Sequence, residues 1–219
     1  VHAILERANT DNHLAEERLS AEVLGWKITG QADLLDNNGV LSDWKVTSVF
    51  SFLLGEKKEW AQQLNAYGWL YSKLGFDIKK LQIVAIMRDW TQSRVKDDYP
   101  QCPVMVVDIL VWNTATTEAW ITERVRLHQE AEKLTDENLE ICSPLERWSR
   151  PDTWAVKKPK NKRAVRVYDN EVDARRHAEA PGLVVEFRPG QNVRCARYCN
   201  VAKFCKFGKT QIGGENADD

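Results

Sequence analysis

The period of the apolar positions changes several times along the chain. Residues 27–35 and 40–47 are two apolar-rich runs separated by Asp36-Asn37-Asn38-Gly39. Asn and Gly tolerate positive φ, so this spacing predicts a β-hairpin. Residues 22–28 read as a first strand leading into it, and residues 11–20 as a polar stretch with Glu16 and Glu17 in helical context. Residues 49–54 are apolar but carry Ser51 and follow Ser48, which suggests a loop or a mobile entry segment over the hairpin. In residues 57–74, Trp60, Leu64, Tyr67 and Tyr71 recur at three- and four-residue spacing and Gly75 follows, which predicts a helix and its stop. Residues 80–88 and 104–112 read as buried strands, with a polar loop at 89–101 between them, and residues 115–134 as a long helix.

A β-hairpin followed by helix, strand, strand and helix predicts an α/β fold with a mixed central sheet flanked by helices. Beyond it, residues 154–156 and 164–167 read as two short strands around a basic tip. A helix capped by Asn170 and a strand at 183–187 follow. These expectations divide the chain into a core at 1–150, a basic C-terminal portion at 151–212, and a disordered tail at 213–219. At the other end, Val1, Ile4 and Leu5 have helical spacing and place His2 and Glu6 on one face. A domain rarely begins inside a helix, so residues upstream of Val1 are expected.

Composition narrows the class. The chain has 219 residues, 43% hydrophobic and 29% charged, as in an ordinary globular enzyme. It has no apolar run long enough to span a bilayer and no signal-peptide pattern. Five cysteines are an odd number and lack the look of a secreted disulfide framework, which points to a reducing cytoplasm. Net charge is −1 but unevenly spread. Residues 1–150 carry 17 basic and 23 acidic side chains, a net of −6, and residues 151–219 carry 14 and 9, a net of +5. A basic C-terminal portion suits a polyanion, and among nine tryptophans some could stack on bases.

The candidate chemistry gathers around the hairpin. Side chains two apart on a strand share a face, so Asp43 and Lys45 point one way and Trp44 the other. A hairpin can bring Asp33 opposite Asp43. Two carboxylates about 4 Å apart repel by roughly 4 kcal/mol at an effective dielectric near 20. A divalent cation offsets that, and oxygen ligands suit Mg²⁺ or Mn²⁺. Lys45 would sit beside it, able to hold a water or stabilise developing negative charge. Gln63 and Tyr67, four apart, share a helix face. Each element has a plainer reading: a turn carboxylate, a cross-strand ion pair, amphipathic packing. None of these predicts the ordered set.

That set, Gly30-x-x-Asp33, then Asp43-Trp44-Lys45, then Gln63-x-x-x-Tyr67, resembles the PD-(D/E)XK nuclease superfamily. It is most similar to the RecB-like branch, with the CRISPR-associated RecB-like exonucleases, the AddB nuclease domain and phage relatives. The resemblance implies a restriction-endonuclease-like fold and a metal-dependent DNA nuclease, an exonuclease in particular. It implies Asp33, Asp43 and His2 as ligands to Mg²⁺ or Mn²⁺, Lys45 as the group that orients water, and Gln63 and Tyr67 as residues that place the strand. Lys157, Lys158, Lys160, Lys162, Arg163, Arg194 and Arg197 would then follow the DNA backbone.

Cys195-x₃-Cys199-x₅-Cys205 adds a second candidate centre. Three thiols this close suit zinc or an iron–sulfur cluster, and spacing does not choose between them. The resemblance implies a structural 4Fe–4S cluster held by three C-terminal cysteines and one early one. The fourth ligand then lies upstream of Val1, or Cys102 or Cys142 takes its place, or it is lacking; the first is the favoured expectation. Two other readings keep the same residues: a catalytically inactive nuclease-fold domain serving a partner in recombination, repair or CRISPR adaptation, and a zinc-stabilised interaction domain.

Overall fold

The computed structural model describes residues 13–55 and 57–212, and the expectations for His2 and for a disordered tail at 213–219 lie outside them. The described chain forms two compact units that divide between Gln129 and Glu130.

The first unit is built on a five-stranded sheet. Its strands are β1 (His13–Ala15), β4 (Leu34–Asp36), β5 (Val40–Thr47), β6 (Lys80–Met87) and β7 (Val104–Ile109), in the spatial order β1-β4-β5-β6-β7. Only β5 and β6 run parallel, so the sheet is mixed. A separate antiparallel ribbon joins β2 (Arg18–Val23) to β3 (Trp26–Gln31). The expected helical context of Glu16 and Glu17 is therefore overturned. Residues 18–23 alternate exposed polar with half-buried apolar side chains, Leu19, Ala21 and Val23 facing in, and that period of two is a strand's. The single strand expected at 22–28 is also a hairpin, turned by Leu24 and Gly25, both at positive φ.

The 36–39 turn forms as expected, but its first arm is short. β4 begins at Leu34, and β3 leaves the main sheet to pair with β2. The break falls at Ala32-Asp33. The turn itself is held by Asp36, whose Oδ1 accepts the Asn38 N–H (2.9 Å) and the Val40 N–H (2.8 Å). Gly39 sits at φ +80°, where a Cβ would meet the Asp77 carbonyl oxygen at 2.4 Å. Its own carbonyl accepts the Lys79 N–H at 2.9 Å, which sets the start of β6 beside β5.

Residues 49–54 are helical rather than a loop: α1 (Val49–Leu53) is capped by Ser48, whose side chain accepts the Ser51 N–H. The long helix α2 (Lys58–Lys73) crosses both the sheet and the β2–β3 ribbon. Leu41, Leu81, Ile83 and Ala85 from the sheet pack against Trp60, Ala61, Leu64 and Tyr71 from α2, and this is the core. Buried Asn65 ties the chain after β7 to the helix. Its Nδ2 donates to the carbonyls of Ala61 and Leu110, and its Oδ1 accepts the Trp112 N–H at 2.7 Å. A second cluster joins Trp69 and Leu70 of α2 to Ile121 of α3 (Thr114–Ala131).

The second unit carries a three-stranded antiparallel sheet, ordered β10-β9-β11. The strands are β9 (Thr153–Lys157), β10 (Arg166–Tyr168) and β11 (Val184–Arg188), with α4 (Glu171–Ala178) capped by Asn170 as expected. A two-stranded ladder pairs β8 (Ser149–Arg150) with β12 (Gln191–Asn192), and α5 (Val193–Arg197) and α6 (Lys206–Gln211) follow. The boundary expected at 150 thus falls inside this unit. Residues 149–150 belong to it because their backbone pairs with 191–192.

Candidate functional site

The first candidate site lies where β4 meets β5. Asp33, at the break before β4, is 5% exposed, and Asp43, in mid-β5, is 3% exposed. They are linked through the backbone: the Trp44 N–H donates to Asp33 Oδ2 at 2.6 Å. This bond exists because the chain bends out of β3 at Ala32, freeing Asp33 to turn its side chain onto β5. Asp43 and Lys45 share a sheet face, as their spacing predicts, and the Lys45 ammonium lies 2.6 Å from Asp43 Oδ2. That oxygen is buried, and the ammonium is its ion-pair partner. The Lys45 side chain is 27% exposed and keeps access to solvent. The β5–β6 pairing sets Asp43 beside Ile83 and Lys45 beside Ala85, both buried, so one wall of the site is apolar.

Gln63 and Tyr67 meet on α2, where the Gln63 amide donates to the Tyr67 hydroxyl at 2.7 Å. The Tyr67 ring lies on Gly30 of β3: a Cβ there would stand 2.8 Å from Tyr67 Cδ1 and 2.7 Å from Leu70 Cδ1. Glycine in a strand interior often marks such close approach, and here it admits the aromatic ring. Gly30 was part of the motif, but its role as a seat for Tyr67 needed the structure. Sequence reasoning also missed Asp89, which accepts the Val49 N–H at 2.7 Å and so fixes the start of α1. Nothing in the spacing marks an Asp forty residues away as a cap.

The basic residues of the second unit divide into two sets. Lys158, Lys160, Lys162 and Arg163 are exposed on the connection between β9 and β10, and Arg197 is exposed at the end of α5. Lys157 and Arg194 are engaged within the unit. Lys157 pairs with Glu186, whose carboxyl is held below its usual range by the Lys157 and Arg188 hydrogen bonds. Arg194 donates to the Glu146 carbonyl and lies over the Trp148 ring.

Cys195 lies on α5, Cys199 just beyond it, and Cys205 caps α6, its sulfur accepting the Gly208 N–H. All five cysteines are free thiols; Cys102 and Cys142 are exposed and the other three half-buried. Among the described residues, no three His, Cys, Asp or Glu side chains are gathered closely enough to hold a metal ion as they stand. Among the same residues, no helix is long and apolar enough to cross a membrane.

No protein-family model and no curated protein matches this chain. Among solved structures, it is similar to the crystal structure of SSO0001, at 22% identity and a TM-score of 0.40. The match covers 57% of this chain and 57% of that one, so the chain spans little more than half of the solved protein's length.

Proposed function

We propose that the chain is a metal-dependent DNA nuclease of the PD-(D/E)XK superfamily, in its RecB-like branch and with the restriction-endonuclease-like fold, and that it acts as an exonuclease. One observation carries the reading. Two buried carboxylates, Asp33 and Asp43, are joined through the Trp44 N–H, with the Lys45 ammonium beside the second. Like charges buried together cost free energy unless cations offset them; the Lys45 ammonium offsets one of the two, and a bound cation would offset the other. Asp43 Oδ2 is buried and paired with the Lys45 ammonium, and hard oxygen donors such as these two carboxylates fit Mg²⁺ or Mn²⁺. Asp33 and Asp43 would hold that ion, with His2 as the third ligand implied by the resemblance. When bound, the ion supplies Lewis-acid polarisation of the scissile phosphate.

The remaining work falls to the chain's own groups. Lys45 can leave Asp43 and donate to the attacking water or to the phosphate oxygen on which charge develops. Gln63 and Tyr67, held rigidly by their mutual hydrogen bond, would place the strand. Lys158, Lys160, Lys162, Arg163 and Arg197, with Lys157 and Arg194 if their partners release them, would follow the phosphates, which makes binding fall with salt. Cys195, Cys199 and Cys205 would hold a structural 4Fe–4S cluster. The setting would be a reducing cytoplasm, beside a partner in recombination, repair or CRISPR adaptation.

The test is cleavage of end-labelled single- and double-stranded DNA with Mn²⁺, Mg²⁺ or EDTA. Cleavage is expected with either metal and none with EDTA. Lys45→Ala is expected to lose about 10²–10³-fold in rate, the scale of removing one charge-stabilising donor. Because Lys45→Ala strands a buried carboxylate, its melting temperature is measured alongside. Metal-dependent cleavage that survives Lys45→Ala in a folded protein refutes the assignment. DNA binding without cleavage under any condition points instead to the inactive, partner-serving domain.

A further inference from the structure

Cys142 lies more than fifty residues before the cysteine triplet, yet the second unit folds its neighbourhood onto them. Residues 143–148 form a turn. Ser143 N–H and Oγ both donate to the Glu146 carboxylate at 2.8 Å, and the Arg147 N–H donates to the Ser143 carbonyl. This turn is fastened to α5 from several sides. The Arg194 N–H donates to the Arg147 carbonyl at 3.1 Å, the Arg194 guanidinium donates to the Glu146 carbonyl, and Ser149 pairs with Asn192. Trp148 packs on Tyr198 with ring centroids 5.5 Å apart, and the Arg147 guanidinium lies 4.3 Å over Phe207 of α6. Cys195 follows Arg194 directly, Cys199 follows Tyr198, and Cys205 precedes Phe207 by two. The contacts to Arg194, Tyr198 and Phe207 therefore land within two residues of one of the three cysteines.

The cysteine segment is itself tightly drawn. Gly208 approaches the backbone of Ala202 so closely that a Cβ would lie 2.5 Å from its carbonyl oxygen, and the Ala202 N–H donates to the Cys199 carbonyl. This folds the 199–205 loop back on itself. Burial raises the Cys195 thiol, and the Cys199, Cys142 and Cys205 thiols raise it further while Arg147 opposes them. Cys142, Cys195, Cys199 and Cys205 are all free thiols, and although no three of them are gathered into a metal-holding set as they stand, the docked turn leaves four sulfur donors within one unit, a donor set suited to a thiophilic centre.

We infer that Cys142 is the fourth ligand, and that Cys142, Cys195, Cys199 and Cys205 together hold one thiophilic metal centre, iron–sulfur or zinc, wholly within the second unit. The inference rests on the proposal that the C-terminal triplet binds metal, and it replaces the expected upstream ligand with one in this chain. Binding would draw the exposed Cys142 in and staple the 142–150 turn to the 191–211 segment. Metal loading would release thiol protons, so loading would fall in acid.

The experiment uses the whole chain, purified without oxygen and reconstituted with iron and sulfide or with zinc alone. Metal and sulfide per chain and the visible spectrum are compared for wild type, Cys142→Ser and Cys102→Ser. Bound iron with sulfide and brown colour identifies a cluster, and bound zinc without colour identifies the other centre. Wild type and Cys102→Ser should match, while Cys142→Ser should lose metal about tenfold or change its iron count and spectrum. Unchanged metal content and spectrum in Cys142→Ser overturn the role of Cys142 and leave the triplet's own role standing. No metal in wild type under any reconstitution overturns both. If Cys142→Ser does not fold, alkylation of the loaded wild type followed by mass spectrometry decides. Cys142 should be protected with the triplet and react at least about tenfold more slowly than Cys102. Equal reaction of Cys142 and Cys102 overturns the inference.

Discussion

Gly30→Ala tests how the first site is assembled. An added Cβ would sit 2.7 Å from Leu70 Cδ1 and 2.8 and 2.9 Å from Tyr67 Cδ1 and Cε1. Carbon atoms in contact prefer about 3.5–4.0 Å, so the ring and the leucine must each retreat by roughly an ångström. Neither has easy room. Leu70 is buried against Trp69 and Ile121, and Tyr67 is held through its hydroxyl by Gln63. Overpacking of this kind costs about 1–3 kcal/mol. For a chain of this size each kcal/mol lowers the melting temperature by roughly 2–4 °C. Urea unfolding followed by tryptophan fluorescence measures the loss, with Trp69 in the same cluster as Leu70. In a background of Tyr67→Ala with Leu70→Ala the obstruction is gone, and Gly30→Ala should cost nothing or stabilise slightly, because alanine restricts the unfolded chain. Under the nuclease reading, Gly30→Ala should also weaken cleavage, since it displaces Tyr67 from Gln63. A Gly30→Ala protein within about 0.5 kcal/mol of wild type, or one equally costly in both backgrounds, refutes the reasoning.

Two further outcomes test the frame around the site. Asn65→Ala removes the partner of the Trp112 N–H and two donors to backbone carbonyls, and should cost about 2–3 kcal/mol in urea unfolding. Asn65→Asp, which keeps the acceptor for Trp112 but loses both donors, should also be destabilised; a neutral Asn65→Ala would remove Asn65 as the tie between α2 and the chain after β7. Asp36 is held below its usual carboxyl range: burial acts to raise it, but hydrogen bonds from Val40 and Asn38 and the charge of His13 outweigh burial. A depressed folded value means that its contribution is complete above the unfolded value of 3.8 and is lost as pH falls through the folded value. Asp36→Ala should therefore cost about 1 kcal/mol near neutral pH and progressively less in acid, as read from unfolding curves at several pH values. A cost that does not change with pH argues against the ionised carboxylate as the turn's anchor.

The sequence by itself determined the elements whose signals are local. The 3.6 period of Trp60, Leu64, Tyr67 and Tyr71 marked α2, the alternation in residues 80–87 marked β6, and Asn170 marked the start of α4. Asp36-Asn37-Asn38-Gly39 specified a turn because its conformation depends on the residues within it. Period two also fixed that Asp43 and Lys45 share a face. Two local signals compete and the structure decides between them: the alternation of Leu19, Ala21 and Val23 outweighs the helical context of Glu16 and Glu17, and Ser48 is a helix cap rather than the start of a loop.

Other features were decided only by tertiary structure, because they depend on pairing between distant residues. A continuous apolar run does not say which partner each half will choose. The run at 27–35 splits because β3 finds β2 while β4 finds β5, and the bend between them places Asp33 on the Trp44 N–H. Gly30 stands in the sequence only as the start of the Gly30-x-x-Asp33 motif, and packing makes it the seat of the Tyr67 ring. Residues 141–150 read as irregular or shortly helical, and their place is set by hydrogen bonds to residues more than forty positions later. Spacing along a chain reports what shares a face of one element, whereas the packing of elements against one another decides which side chains meet.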